Sequence, residues 1–205
     1  MKTLQESLFD RDLVSKKVYM YYPETKVELK SIMKKEIKKQ GSDANLNIID
    51  VSKIDDMSYL FSNFESDIRN IDISLWDVSR VKNMEGMFWG CTEFNCNLSK
   101  WNVGIVRDMY GMFYGCKCFT GDGLDKWDVR WVKDMYGMFF GCTTFNSDLS
   151  KWNVSRVEDM EYMFYGCKKF EGERLDKWNV NKVRVMDWMF KGCNSLKKIP
   201  DWYEE

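Results

Sequence analysis

Trp152-Asn153-Val154-Ser155-Arg156-Val157-Glu158-Asp159-Met160-Glu161-Tyr162-Met163-Phe164-Tyr165-Gly166-Cys167 sets the architecture of this chain, because close variants of the string occur four more times. Trp recurs at 76, 101, 127, 152, 178 and 202, so the steps alternate between 25 and 26 before a final, shorter one. Val follows two and five residues after most of them, as in Val103 and Val106, and Met eight residues after, as in Met109. Met-Phe (Met112-Phe113), Cys (Cys116) and Phe (Phe119) complete the unit, and Leu or Ile stands three residues before each Trp. Upstream, Leu46, Ile49, Val51, Ile54, Met57 and Phe61 fill the same slots, with Ile49 in place of Trp. A terminal repeat is often degenerate in this way. The alternation of shorter and longer units makes a super-repeat of two, which suggests duplication of a pair.

No single unit can bury its own Trp, Met, Phe and Cys, so the expected object is a stack of coils sharing one core. The residues Asp108–Gly115 read as a short helical turn, with Asp or Asn able to cap its start and Gly suited to its end. The segment between Phe and Trp, such as Asn95–Ser99, reads as a short strand. Parallel stacking of such strands at ~4.8 Å gives a core about 30 Å long. Five of the seven Cys and eleven of the fourteen Met fall into columns of the repeat. Packing explains both better than redox or soft-metal chemistry does. Cys96 and Cys118 lie off the column and are the two to examine for reactivity.

Residues 1–45 lie outside the repeat, and residues 46–205 contain it. Thr25-Lys26-Val27-Glu28 looks like a capping box, Leu29, Ile32, Met33 and Ile37 form an apolar stripe, and Gly41 ends it. This helix is expected to lie across the first coil. Lys17–Tyr22 favours extended structure, and Met1–Ser15 reads as a flexible tail or a second small helix. Trp202 begins a truncated last coil and is expected to close the core.

The composition excludes several function classes. The chain has 31 basic and 32 acidic residues, for a net charge of −1. It lacks the basic excess expected of a nucleic-acid binder. There is no His, which removes Ser-His-Asp, Cys-His and His-containing zinc arrangements. No apolar run approaches the ~18–20 residues needed to span a bilayer, and no secretory signal is visible. The expectation is a chain without membrane contact, metal or cofactor, held in a reducing, cytoplasmic compartment.

Read as Trp-Asp/Asn-Val-Ser-x-Val-x-Asp-Met-x-x-Met-Phe-x-Gly-Cys-x-x-Phe-Asn, the repeat resembles the BspA-like leucine-rich repeats. It is closest to the subgroup first described as a mycoplasma protein family of unknown function. The resemblance covers about Leu46 to Trp202. It implies an α/β repeat: a right-handed, leucine-rich-repeat-like parallel β solenoid with short helical turns and an amino-terminal helical cap, used for protein binding. Many relatives are bacterial surface adhesins, and this chain departs from them in lacking a signal peptide and a lipid-attachment Cys. Its opening, Leu4–Asp10, looks like starts seen in proteins of large phages.

Two surfaces compete as binding faces. On the strand side, Asp122, Asp148, Glu173 and Asp176 are among the positions that vary from unit to unit, through recognition or through drift. On the other side stand Trp89, Tyr114, Phe140 and Tyr165, with Tyr110 and Tyr136 four residues before two of them. At that spacing the pairs share one side of a helical turn. The aromatics form an outer stripe for a protein partner or a second copy, or they pack under a neighbouring turn. The expected function is a non-enzymatic protein-binding scaffold, with a surface or carbohydrate-binding adhesin as the alternative. No constellation breaks the repeat in the way that an active site would.

Overall fold

The computed structural model describes residues 18–62, 64 and 68–204. The readings made for Met1–Ser15 and Leu4–Asp10 lie outside the described residues. The described residues build six stacked coils, anchored at Ile49, Trp76, Trp101, Trp127, Trp152 and Trp178. Successive coils are joined at equivalent positions by isolated parallel bridges, Asp56–Asn83, Asn83–Asp108, Asp108–Asp134, Asp134–Asp159 and Asp159–Val185.

The expected parallel β solenoid is not what this sequence forms. Among the described residues there is no sheet, one α-helix and four 3-10 turns, so the leucine-rich-repeat architecture does not hold either. The cause is local. Asp108–Gly115 is not helical, because Gly111 and Gly115 take φ of +52° and +75° and reverse the backbone twist. The coil becomes a run of tight turns instead, with Met112 N–H bonded to Met109 O, Tyr114 to Gly111, Cys116 to Phe113 and Phe119 to Cys116. The intervening N–H groups point along the stack. Those of Met109, Gly111, Phe113 and Gly115 reach the carbonyls of Asp134, Tyr136, Met138 and Phe140 at 2.7–3.1 Å. Alternate donors therefore serve the coil and its neighbour, leaving no stretch that pairs as a strand.

Aspartate and asparagine side chains fix the corners. Asn102, Asp128 and Asn153 accept from the N–H two residues on, and Asp108, Asp134 and Asp159 do the same at a second corner. These are turn-forming contacts of short polar side chains. The alternation in repeat length resolves at a third corner. The shorter units turn on Asn97 or Asp148. The longer units spend the extra residue on a 3-10 turn, Leu124–Lys126 or Leu175–Lys177, entered through Gly123 or Arg174 in the left-handed region.

The core is columnar. Phe61, Phe88, Phe113, Phe139, Phe164 and Phe190 stack at 5.1–5.7 Å. Burying one such ring contributes about 1.5–3 kcal/mol. Each repeat Trp donates its indole N–H to a carbonyl of the coil before it, as Trp101 does to Ile73 O at 3.0 Å. The Cys column also does more than fill space: the Cys116, Cys142, Cys167 and Cys193 thiols donate to Phe88, Phe113, Phe139 and Phe164 carbonyls at 3.0–3.1 Å.

Helix α1 spans Lys26–Gln40, with Thr25 accepting from Glu28 N–H and the Gly41 N–H returning to Ile37 O. Leu29, Met33 and Ile37 are buried in the core. Lys26 Nζ bonds Asp56 Oδ2 at 2.9 Å and Ser58 O at 3.2 Å, which seats the helix on the first coil. At the other end Trp202 stacks on Trp178, with ring centroids 6.3 Å apart.

Candidate interaction surface

The aromatic residues singled out from the sequence come together. Trp89, Tyr114, Phe140 and Tyr165 form a ladder with centroid separations of 4.0, 4.3 and 4.8 Å and interplanar angles of 1°, 1° and 4°. Tyr110 and Tyr136 form a second rung set at 4.7 Å, joined to the first where Tyr110 meets Trp89 at 6.2 Å. All six are half-buried. A shared helical turn is not what aligns them, since there is no helix here; stacking between coils does. Tyr162 ends the array by turning edge-on to Tyr136, Phe140 and Tyr165.

The ladder needs glycine beneath it. A Cβ on Gly111 would lie 2.5 Å from the Trp89 ring, at a residue with φ +52°. Because the rings stack face to face, Tyr114 and Phe140 have both faces occupied within the ladder.

An acidic row runs beside the ridge. Asp108, Asp134 and Asp159 are half-buried neighbours along the stack, and Glu85 and Glu161 occupy the same slot as Tyr110 and Tyr136. Burial raises the Asp134 carboxyl to about 6, assisted by the charges of Asp108, Asp159 and Glu85 and opposed by the Tyr136 N–H. Burial raises Asp108 as well. Tyr59, whose hydroxyl donates to Glu85 at 2.8 Å, is pushed up to about 12 by burial and that bond.

The four acidic positions on the other face are exposed and less unified. Asp148 and Glu173 line one shallow hollow with Asn146 and Glu171. Glu173 and Asp176 line the next, beside Lys197 and Lys198. Lys197 pairs with Glu171 and Glu173, and Lys198 with Asp176 and Asp201, so much of that acidity is answered within the chain. Asp122 stands apart from both hollows.

Two exposed indoles escaped the sequence reading. Trp131 is 43% exposed under the Arg156 guanidinium at 4.0 Å, and Trp188 is 48% exposed under Lys191 Nζ at 3.7 Å. The Trp131 slot, four residues after each repeat Trp, holds Lys53, Arg80, Ile105, Arg156 and Lys182 elsewhere. An aromatic in a mostly basic column was the available signal.

Burial pushes up both off-column thiols, Cys96 and Cys118, and Glu93 adds to the effect at Cys118. Neither is activated as a nucleophile. Among the described residues no group of His, Cys, Asp or Glu could hold a metal ion, and no helix is long and apolar enough to cross a membrane.

A family model described as "Mycoplasma protein of unknown function, DUF285" matches residues 28–123 and 117–203. No curated protein and no solved structure matches the chain.

Proposed function

The chain belongs to the mycoplasma family of unknown function DUF285, and on that premise we propose that it is a non-enzymatic protein-binding module. Its partner sits on the aromatic ridge and the acidic row beside it. The observation that carries this reading is the uninterrupted, half-exposed ladder Trp89–Tyr114–Phe140–Tyr165. Tyrosine and tryptophan edges combine apolar contact with polar tips, the composition favoured at protein interfaces. The carboxylates of Glu85, Asp108, Asp134 and Glu161 favour a partner surface rich in donors and positive charge. The same acidity and the net charge of −1 speak against nucleic acid.

The carbohydrate-binding alternative is the weaker one. A sugar stacks on a ring face, and the ladder uses most of its faces internally. The two open indoles, Trp131 and Trp188, each carry a cation over the ring. Kinship with the BspA-like proteins rests on the repeat signature. A reducing, cytoplasmic setting is proposed from the seven free cysteines, five of them in the repeat column.

The test compares proteins captured from source-cell lysate by the wild type and by Tyr114→Ser/Tyr165→Ser, after circular dichroism shows that both fold. A partner that loses at least tenfold in affinity for the variant supports the ridge. Equal retention by both proteins removes it. A second copy as the partner would appear as a dimer in light scattering that the same substitutions dissolve.

A further inference from the structure

One flank of each coil runs from the corner just after the repeat Trp to the corner at the acidic row. Its two edges differ in kind. The column four residues after Trp reads Arg80, Ile105, Trp131, Arg156 and Lys182. The column nine residues after Trp reads Glu85, Tyr110, Tyr136, Glu161 and Asp187. Coil by coil, a basic residue in the first column goes with an acidic one in the second, and an apolar residue goes with a tyrosine. The chain between them buries a Val and a Met, Val81 and Met84 in the coil anchored at Trp76. Among the described residues no ion pair, hydrogen bond or ring contact joins the two members of any coil. Their contacts run along the stack instead: Arg156 lies over Trp131, and Glu85 accepts from Tyr59.

The flank is open. The first column is exposed throughout, and Glu85, Tyr110, Tyr136 and Glu161 of the second are half-buried. Between the edges, two adjacent columns repeat the contrast: Lys82, Arg107 and Lys133 run along the stack beside Asn83, Asp108 and Asp134. In the coil anchored at Trp152 both middle residues are acidic, and there Glu158 is answered by Lys133 and Arg184 of the adjoining coils at 3.9 and 3.4 Å. The first coil shows what the acidic side accepts. Its Asp56 and Ser58, the equivalents of Asp108 and Tyr110, take Lys26 Nζ of α1 at 2.9 and 2.7 Å. Among the described residues no cation of the chain pairs with Glu85, Glu161 or Asp187.

We propose that this flank is the contact surface for a second copy of the chain, the two stacks lying side by side and parallel about a two-fold axis along their length. The proposal rests on the reading of the acidic row as an interface and names its partner. Such an axis sets each residue of one column against its counterpart column in the other copy, and the reverse. Arg80 of one copy then meets Glu85 of the other, Ile105 meets Tyr110, Trp131 meets Tyr136, Arg156 meets Glu161 and Lys182 meets Asp187, each pair occurring twice. Other arrangements lose the match. An axis across the stack sets each column against itself in reverse, Arg80 against Lys182 and Glu85 against Asp187. A shift of one coil puts Arg80 against Tyr110 and Trp131 against Glu161. Charge therefore selects the register, and the central Ile105, Trp131 and tyrosines supply apolar contact. The five coils span about 19 Å, a small interface that suits a weak, concentration-dependent dimer. The ladder Trp89–Tyr114–Phe140–Tyr165 stays outside it.

The experiment is sedimentation equilibrium of the full chain, with two charge-reversal variants whose folding is checked by circular dichroism. The wild type should pass from monomer to dimer as concentration rises. Its dissociation constant should increase about tenfold or more between about 50 and about 500 mM salt. Arg80→Glu/Arg156→Glu and Glu85→Arg/Glu161→Arg should each dimerise at least about a hundredfold more weakly, since like charges then face each other. Mixed in equal amounts, the two variants should recover a one-to-one dimer, because both contacts of the mixed pair are again opposite in sign. Tyr114→Ser/Tyr165→Ser should dimerise like the wild type, so failure here and failure of the ridge reading are separate results. A wild type that stays monomeric up to about 1 mM, reversal variants that dimerise normally, or folded variants that stay apart when mixed would each overturn the proposal. A dimer dissolved by the tyrosine substitutions but not by the charge reversals would move the contact to the ridge and overturn it as well.

Discussion

Trp89 and Tyr114, which hold the same slot in successive repeats, stack 4.0 Å apart and 1° from parallel. The backbone beneath them has no room for a side chain, because a Cβ on Gly111 would sit 2.5 Å from the Trp89 ring. In the Trp152 and Trp178 coils the same left-handed slot is filled by Tyr162 and Trp188, with φ of 55° and 59°. Gly111 is thus required less by its conformation than by the ring resting on it.

Gly111→Ala should therefore destabilise the protein by about 2–3 kcal/mol, the sum of left-handed strain and lost stacking. Gly90→Ala is the control: its φ is +75° but nothing lies within 4 Å of the added Cβ. It should cost about 1 kcal/mol. Urea unfolding of both variants measures the difference, and equal losses would remove the steric explanation.

Asp134 makes stability depend on pH in an unusual direction. Its folded value of about 6 lies above the unfolded value of about 3.9. The native state then binds the extra proton, so this residue's contribution worsens as pH rises from about 4 to about 6 and stays unfavourable above. Asp134→Asn keeps an acceptor for the Tyr136 N–H, as Asn83 does for Glu85 in its own coil. The variant should gain about 1–2 kcal/mol at pH 7–8, once partial exposure is discounted. The gain should vanish below pH 4. Thermal melts of both proteins at pH 4, 6 and 8 give the answer.

The column thiols should be chemically silent. Burial holds Cys116, Cys142 and Cys167 far above the ordinary thiol range and pushes Cys91 and Cys193 up to about 12. With a thiol-specific colorimetric reagent at pH 8, Cys96 and Cys118 should react well before Cys116, Cys142 and Cys167. All seven should react promptly in denaturant. Seven fast thiols in the native protein would contradict the column.

Removing one super-repeat, Trp101–Lys151, should leave a folded, shorter stack, since every column continues across the new junction. Near-ultraviolet circular dichroism and a cooperative melt would show it. Aggregation of the deletion variant would mean that contacts beyond nearest neighbours hold the coils.

The period, the identity of every core column and the helix between Thr25 and Gly41 were all legible in the sequence. Each is written by side chains whose burial is periodic. The aromatic stripe was legible as well, because it recurs at a fixed offset from Trp. The secondary structure within a coil was not. Met109-Tyr110-Gly111-Met112-Phe113 has spacings compatible with a helical turn, and only the sign change in φ at Gly111 and Gly115 rules that out.

What the sequence by itself determined was which residues share a column, since repetition at a nearly constant interval leaves no other way to bury them. What only the tertiary structure decided was where the backbone hydrogen bonds go and which way the rings face. Main-chain donors carry no residue-specific signature, so the row from Met109 to Gly115 and the face-to-face ridge emerge only when coils meet.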